Sequence, residues 1–244
     1  MIKFFRKIRH SLLSENKLGK YLIYALGEII LVVIGILIAL QINNRHQAKQ
    51  DRAFEIKMLS EIRNALISDK LCFEEMYGVM NNLKETSRYF MELSKTNVAY
   101  HDTLLPKIFE LNENISYEYN IGPYEALKSS GMDKISNDSI RILLTNLYDF
   151  KFPQLETSVA QITYYHKNNI EEMLLLLGER YVFSLGGRNR VGWNNVPKDL
   201  FQKQGFLQIL AGVEFRGRVA GRKIKKFIPN ISAVIEILNK EIEE

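Results

Sequence analysis

The run from Tyr21 to Ile42, YLIYALGEIILVVIGILIALQI, constrains this chain more than any other feature. As a helix it would reach ~33 Å at ~1.5 Å per residue, and a bilayer hydrocarbon core is ~30 Å thick. Its one formal charge is Glu28. A helix buried in a soluble core is usually shorter and keeps a polar face. Within lipid, a backbone satisfies its own hydrogen bonds only as a helix or a closed barrel, and one segment cannot close a barrel. The sequence therefore predicts a single transmembrane helix over residues 21–42. The region before it is long, the apolar run exceeds the ~7–15 residues of a secretion signal, and no A-x-A pattern follows. The helix is read as an uncleaved anchor.

The net charge of +5 suggests a nucleic-acid surface until it is located. Lys3, Arg6, Lys7, Arg9, Lys17 and Lys20, opposed only by Glu15, account for all of it, and the charges beyond Ile42 nearly balance. Nucleic acid is therefore not expected as a partner; membrane lipid is. Residues 1–20 are read as a basic amphipathic cytoplasmic arm, with Met1, Phe4, Phe5, Ile8 and Leu12 on the side opposite the cations. Six Lys and Arg precede the span, and four follow it closely: Arg45, Lys49, Arg52 and Lys57. That bias places the N-terminus in the cytoplasm and residues 43–244 outside it. Tyr21 and Tyr24 would then anchor the cytoplasmic interface.

Within the span, Tyr24, Glu28, Gly35 and Ala39 share one helical face. Gly35-x-x-x-Ala39 is a small-xxx-small pair that admits a second backbone, and a carboxylate in lipid calls for a partner or for protonation. This is the expected membrane-helix contact face, for a protein partner or a homo-oligomer. The competing reading has Glu28 reaching one turn back to the headgroups.

Residues 43–244 read as a helical bundle domain. Leu59, Ile62, Leu66, Asp69, Phe73, Met76, Met80, Leu83, Ser87 and Phe90 keep 3-4 spacing, the seam of a coiled coil or of a long bundle helix. No Pro or strong Gly break separates this stripe from the span. Cys72, the only cysteine, is expected to be small and buried, and no intramolecular disulfide is possible. Asp69 on the seam marks either a polar pairing or, as preferred here, an entry for water. Further on, Pro123 suits a helix start, Gly131 a C-terminal cap and Ser136 or Asn137 an N-cap. Pro153 either separates two helices or kinks one. Leu155–Leu177 offers another apolar face. Val182–Pro197, with GGRNRVGWNN, is the most loop-like stretch, and Gly205–Glu244 is helical but interrupted at Pro229. The expected fold class is all-α, with one N-terminal transmembrane helix followed by an antiparallel bundle of long helices.

Chemistry is harder to find. His10, His46, His101 and His166 are scattered without metal-ligand spacing, and one cysteine cannot build a zinc site. No P-loop, G-x-G-x-x-G or G-x-S-x-G occurs. No catalytic, cofactor-binding or metal-binding residues and no cofactor are assigned. His101-Asp102 reads as two solvated polar groups beside a loop, and the cations Arg216, Arg218, Arg222, Lys223, Lys225 and Lys226 as a solvated face. Arg188, Arg190 and Trp193 form a possible recognition loop, although Trp193 is expected to pack back on the bundle.

The opening residues carry more than membrane logic. Glu15–Lys17, Tyr21–Tyr24, Gly27–Ile29 and Leu31–Asn44 resemble the signature of an uncharacterised family of single-pass membrane proteins abundant in Bacteroidota, the domain-of-unknown-function family 6090. Tyr124–Phe150 is similar to that family's mid-chain segment, while Arg45-His46 departs from its usual Trp-Asn continuation. The resemblance implies an inner-membrane anchor with a helical domain and implies no activity. The function expected is an interaction or sensing subunit of an envelope complex, its bundle periplasmic. The rivals are a membrane-anchored scaffold with a cytoplasmic bundle, and an envelope enzyme with a site around Trp193 and His166.

Overall fold

The computed structural model describes residues 18–113 and 116–243. The basic arm therefore lies almost wholly outside the described residues. Helix α1 runs from Leu18 to Ser94 as one helix of 77 residues. It ends in a turn at Asn97, whose φ of 55° lies in the left-handed region that Asn tolerates. Short helices follow: α2 Leu105–Phe109, α3 Gly122–Ser130 and α4 Asp138–Thr145. Helix α5 spans Phe152–Leu176, a hairpin of β1 Glu179–Leu185 and β2 Arg188–Asn194 comes next, and α6 spans Gln204–Glu243. Helices dominate, and the all-α expectation stands.

The chain divides into one unit ending at Glu55 and a second formed by Ile56–Glu244. In the first, the apolar part of α1 is bare: its most apolar 18-residue window has a mean hydropathy of 2.6 and no buried residue. Leu22, Ile23, Leu31, Ile36 and Ile42 are each more than half exposed. By length and composition this helix can cross a membrane, and exposure of so many large apolar groups all round it calls for an apolar surrounding.

In the second unit, all ten positions of the 3-4 stripe are buried against the chain's own helices. Arg63 reaches Asn239 at 3.4 Å and Arg88 reaches Glu214 at 2.8 Å, so α6 runs antiparallel to α1. Lys223 meets Ser158 at 3.0 Å and Asn169 meets Ile209 at 3.5 Å, so α6 is antiparallel to α5 as well. Where α6 crosses α1, Gly217 and Gly221 lie against Met80. An aromatic cluster fills the middle: Phe73 contacts the rings of Tyr117, Phe152 and Phe227 at 5.4, 6.0 and 5.5 Å.

Several local expectations meet corrections. Cys72 is exposed, because it falls one position off the stripe that buries Phe73. Asp69 is buried, but one of its oxygens accepts the Asn120 backbone N–H at 2.9 Å, so it is held by a polar pairing where entry of water was preferred. Pro229 does not interrupt α6, since the buried Phe227 and Ile231 on either side hold both halves against the bundle. Near Pro153 the chain stays helical through a widened π turn, Asn146–Lys151, closed by the Phe152 N–H on the Leu147 carbonyl, and Pro153 falls in the first turn of α5, where a missing N–H is tolerated. Asn137 does cap α4, its side chain accepting the Ser139 N–H at 3.0 Å.

Candidate functional site

The largest departure from expectation is in the stretch read as a loop. Residues 179–194 form a regular antiparallel hairpin with Leu185 paired to Arg188 and Glu179 to Asn194. Gly186 and Gly187 alone make the turn, with φ of 61° and 73°. Positive φ at both central residues is what a two-residue turn matched to strand twist requires, and glycine supplies it without strain. The signal was present in the sequence: Gly186-Gly187 between the stretches RYVFSL and RNRVGW, which carry Tyr, Val, Phe and Trp.

Register assigns the faces. Tyr181, Phe183, Arg188, Arg190 and Gly192 share one face, and Arg180, Val182, Asn189, Val191 and Trp193 share the other. The Tyr181 ring lies over Gly192, where an added Cβ would come within 2.6 Å of it. Trp193 is half-buried and packs on Phe109 of α2, ring centroids 4.9 Å apart, which fastens the second face at its base. Farther out both faces are solvated: Tyr181 is 42% exposed, Val182 63%, Phe183 37% and Val191 37%. Arg180, Arg188 and Arg190 are exposed as well. The structure thus separates the expected trio: Arg188 and Arg190 stand beside aromatic groups on one face, and Trp193 holds the opposite one.

The contact face proposed for the span is only partly visible. The described backbone keeps Tyr24, Glu28, Gly35 and Ala39 within one uninterrupted helix, though the Tyr24 side chain lies outside what is described. Nothing approaches the position of a Cβ on Gly35, so that side of the helix is open.

Among the described residues, no three His, Cys, Asp or Glu side chains are placed to hold a metal ion. His46 is exposed beside Gln50 at 3.1 Å. His101 caps the 3-10 turn Asp102–Leu104 by accepting the Thr103 N–H, which gives its pairing with Asp102 a local structural role. His166 is buried on α5 and Trp193 packs on α2, so the two groups of the enzyme reading have different neighbours. The cation row on α6 also divides. Lys225 lies over the Tyr77 ring and Arg218 bonds Glu214, both at the surface, whereas Arg216 turns its Nε and Nη2 inward.

Tyrosines gather around Asp69. Tyr117 donates to the Phe152 carbonyl at 2.9 Å and Tyr124 to Asp149 at 3.0 Å. Burial pushes the phenols of Tyr117 and Tyr148 up, and burial also raises Asp69 against the opposing pull of the Asn120 N–H. These groups stay neutral or are stapled in place, which suits a core.

Comparison with known proteins adds one match. The model of a family described as a family of unknown function (DUF6090) covers residues 28–171, more than half of the chain. No curated protein and no solved structure matches.

Proposed function

The chain belongs to the family of unknown function DUF6090, and we propose that it is a bitopic inner-membrane protein acting as an interaction or sensing subunit of an envelope complex. In this reading residues 21–42 cross the membrane, the arm is cytoplasmic and the helical domain is periplasmic. The observation that carries the proposal is the hairpin. A two-stranded sheet is marginal on its own, yet this one is built with an ideal turn and a Trp193 anchor while presenting aromatic and Arg side chains to solvent. Exposed aromatic and Arg groups are the side chains that dominate binding energy at interfaces. A signal received by the hairpin would leave through the membrane helix and its Gly35–Ala39 face.

Two measurements test this. A reporter active only outside the cytoplasm, fused after Glu244, is expected to be on; a silent reporter there, with a cytoplasmic one active, sinks the topology. A photo-reactive side chain at Phe183 in the native membrane is expected to give a discrete adduct that Arg188→Glu and Arg190→Glu abolish. The same probe at Tyr164, exposed on α5, should give none. Identical patterns at both sites would remove the hairpin from the function.

A further inference from the structure

Buried polar groups are almost always paired, so a cluster of exceptions calls for an explanation. One cluster between α5 and α6 concentrates such exceptions, away from the hairpin surface. His166 is 5% exposed, and its ring makes no close hydrogen bond, though the Glu113 backbone carbonyl lies within reach as an acceptor. Arg216 buries its Nε and Nη2 with no partner on either. The Asn169 amide nitrogen has only a long contact to the Ile209 carbonyl, at 3.5 Å.

These groups converge by helical spacing: His166 and Asn169 are one turn apart on α5, and Gly212 and Arg216 are one turn apart on α6. Gly212 makes the convergence possible. An added Cβ there would stand 2.5 Å from Arg216 Nη2 and 2.7 Å from Asn169 Nδ2, so both donors lie over the side chain this residue lacks. Burial holds the His166 pKa down, with the Glu113 backbone carbonyl opposing that shift and the Arg216 charge adding to it, so both residues border the ring. Asn169 also lines an open groove of about 400 Å³ with Glu172, Leu176, Gln208 and Ile209, so this member of the cluster faces solvent.

The geometry points to a carboxylate-binding site. The Nε and Nη2 edge of Arg216 takes both oxygens of one carboxylate, and Asn169 completes the donor set beside the His166 ring. That edge of a guanidinium presents two parallel N–H groups at the spacing of carboxylate oxygens. Leaving it buried and empty is among the costlier arrangements a fold can hold. A carboxylate could come from two sources. One is a small organic acid entering through the groove. The other is Glu113, whose backbone borders His166 and whose own Oε2 is buried without a partner.

Full-length protein in a mild non-ionic detergent at pH 7 provides the test. Its thermal unfolding is followed by far-UV circular dichroism against sodium acetate, with sodium chloride at matched ionic strength as the control. If the occupant is a free acid, acetate raises the wild-type midpoint saturably, by about 3–6 °C at ten times its dissociation constant. Glu113→Gln then still responds. If the occupant is Glu113, wild type does not respond; Glu113→Gln melts lower and acetate restores it. In both cases adding Arg216→Lys removes the response, because an ammonium keeps the charge and loses the paired N–H edge. Should Arg216→Lys fail to fold, Asn169→Ala at its half-buried position is expected to weaken acetate about tenfold. No acetate response in either wild type or Glu113→Gln overturns the proposal. So does an equal response to chloride, or a response that survives Arg216→Lys or is unchanged by Asn169→Ala.

Discussion

The crossing of α6 over α1 can be tested with a single chemical change made at three glycines. At Gly217 an added Cβ would lie 2.8 Å from the carbonyl oxygen of Met80 and 3.2 Å from the backbone nitrogen of Lys84. Both are backbone atoms of α1, so relief requires moving a helix. At Gly221 the nearest atom is the Met80 Cβ at 3.3 Å, and at Gly78, exposed on α1, nothing lies within 4 Å. Alanine in place of glycine favours any helix by about 1 kcal/mol, while overpacking a close contact costs about 1–3 kcal/mol. Gly78→Ala is therefore expected to stabilise by about 1 kcal/mol, and Gly221→Ala to sit near zero. Gly217→Ala is expected to destabilise by up to about 2 kcal/mol, the clash less the propensity gain. The difference between Gly217→Ala and Gly78→Ala cancels propensity and isolates the clash. Urea unfolding of the full-length chain in detergent, followed through Trp193 fluorescence and circular dichroism, reads these values as midpoint changes at constant slope. If Gly217→Ala stabilises as much as Gly78→Ala, α6 does not approach α1 this closely and the bundle geometry is wrong.

Three further outcomes are expected. Phe73 is fully buried among three rings, so Phe73→Ala should cost about 3–5 kcal/mol in the same urea assay; a cost below about 1 kcal/mol would mean the aromatic cluster is not the centre of the core. The His166 pKa is lowered from 6.5 by burial, so the unfolded chain binds the extra proton first: stability rises with pH through the window below about 6.5 and is lost as pH falls through it. His166→Gln should flatten that dependence, and an unchanged pH profile would place the imidazole in water. In the span, Gly35→Leu should weaken self-association in a membrane two-hybrid assay while Leu31→Ala, off that face, should not; equal behaviour would leave Glu28 reaching for the headgroups as its only remaining account.

Much of the fold was legible because periodicity is a local record of burial. The stripe from Leu59 to Phe90 repeats at the helical period, and every one of its positions is buried. Asn137 announced its cap through its own side-chain chemistry. Pro229 misled because a proline rule describes one residue's lost hydrogen bond, whereas the fate of α6 was decided by apolar burial along its whole length. The hairpin was missed for a related reason. Its strands are solvated on both faces, so they lack the one-sided apolar alternation that marks a half-buried strand, and only the Gly186-Gly187 turn recorded the pairing.

The buried polar site shows where such a reading stops. Asp69 stands in phase with the buried Leu66 and Phe73, His166 with the buried Val159, Ile170 and Met173, and Arg216 with the buried Val213 and Ala220. A titratable residue in phase with an apolar face is thus itself a readable signal that the group turns inward. Read this way, Arg216 parts from Arg218 and Arg222, which are out of phase, although all six cations look alike as a charge cluster. What the period cannot supply is the group each one faces, because that comes from another segment at no fixed spacing. Asp69 meets the backbone of Asn120, and His166 meets that of Glu113, both in the irregular stretch between α2 and α3. Asp69 takes an N–H there on one oxygen while its Oδ2 stays unpaired, and on α6 Arg216 keeps both Nε and Nη2 unpaired. Of these groups only Arg216 presents two parallel unpaired N–H donors, with Asn169 beside it lining an open groove, and the place for a ligand is read there for that reason.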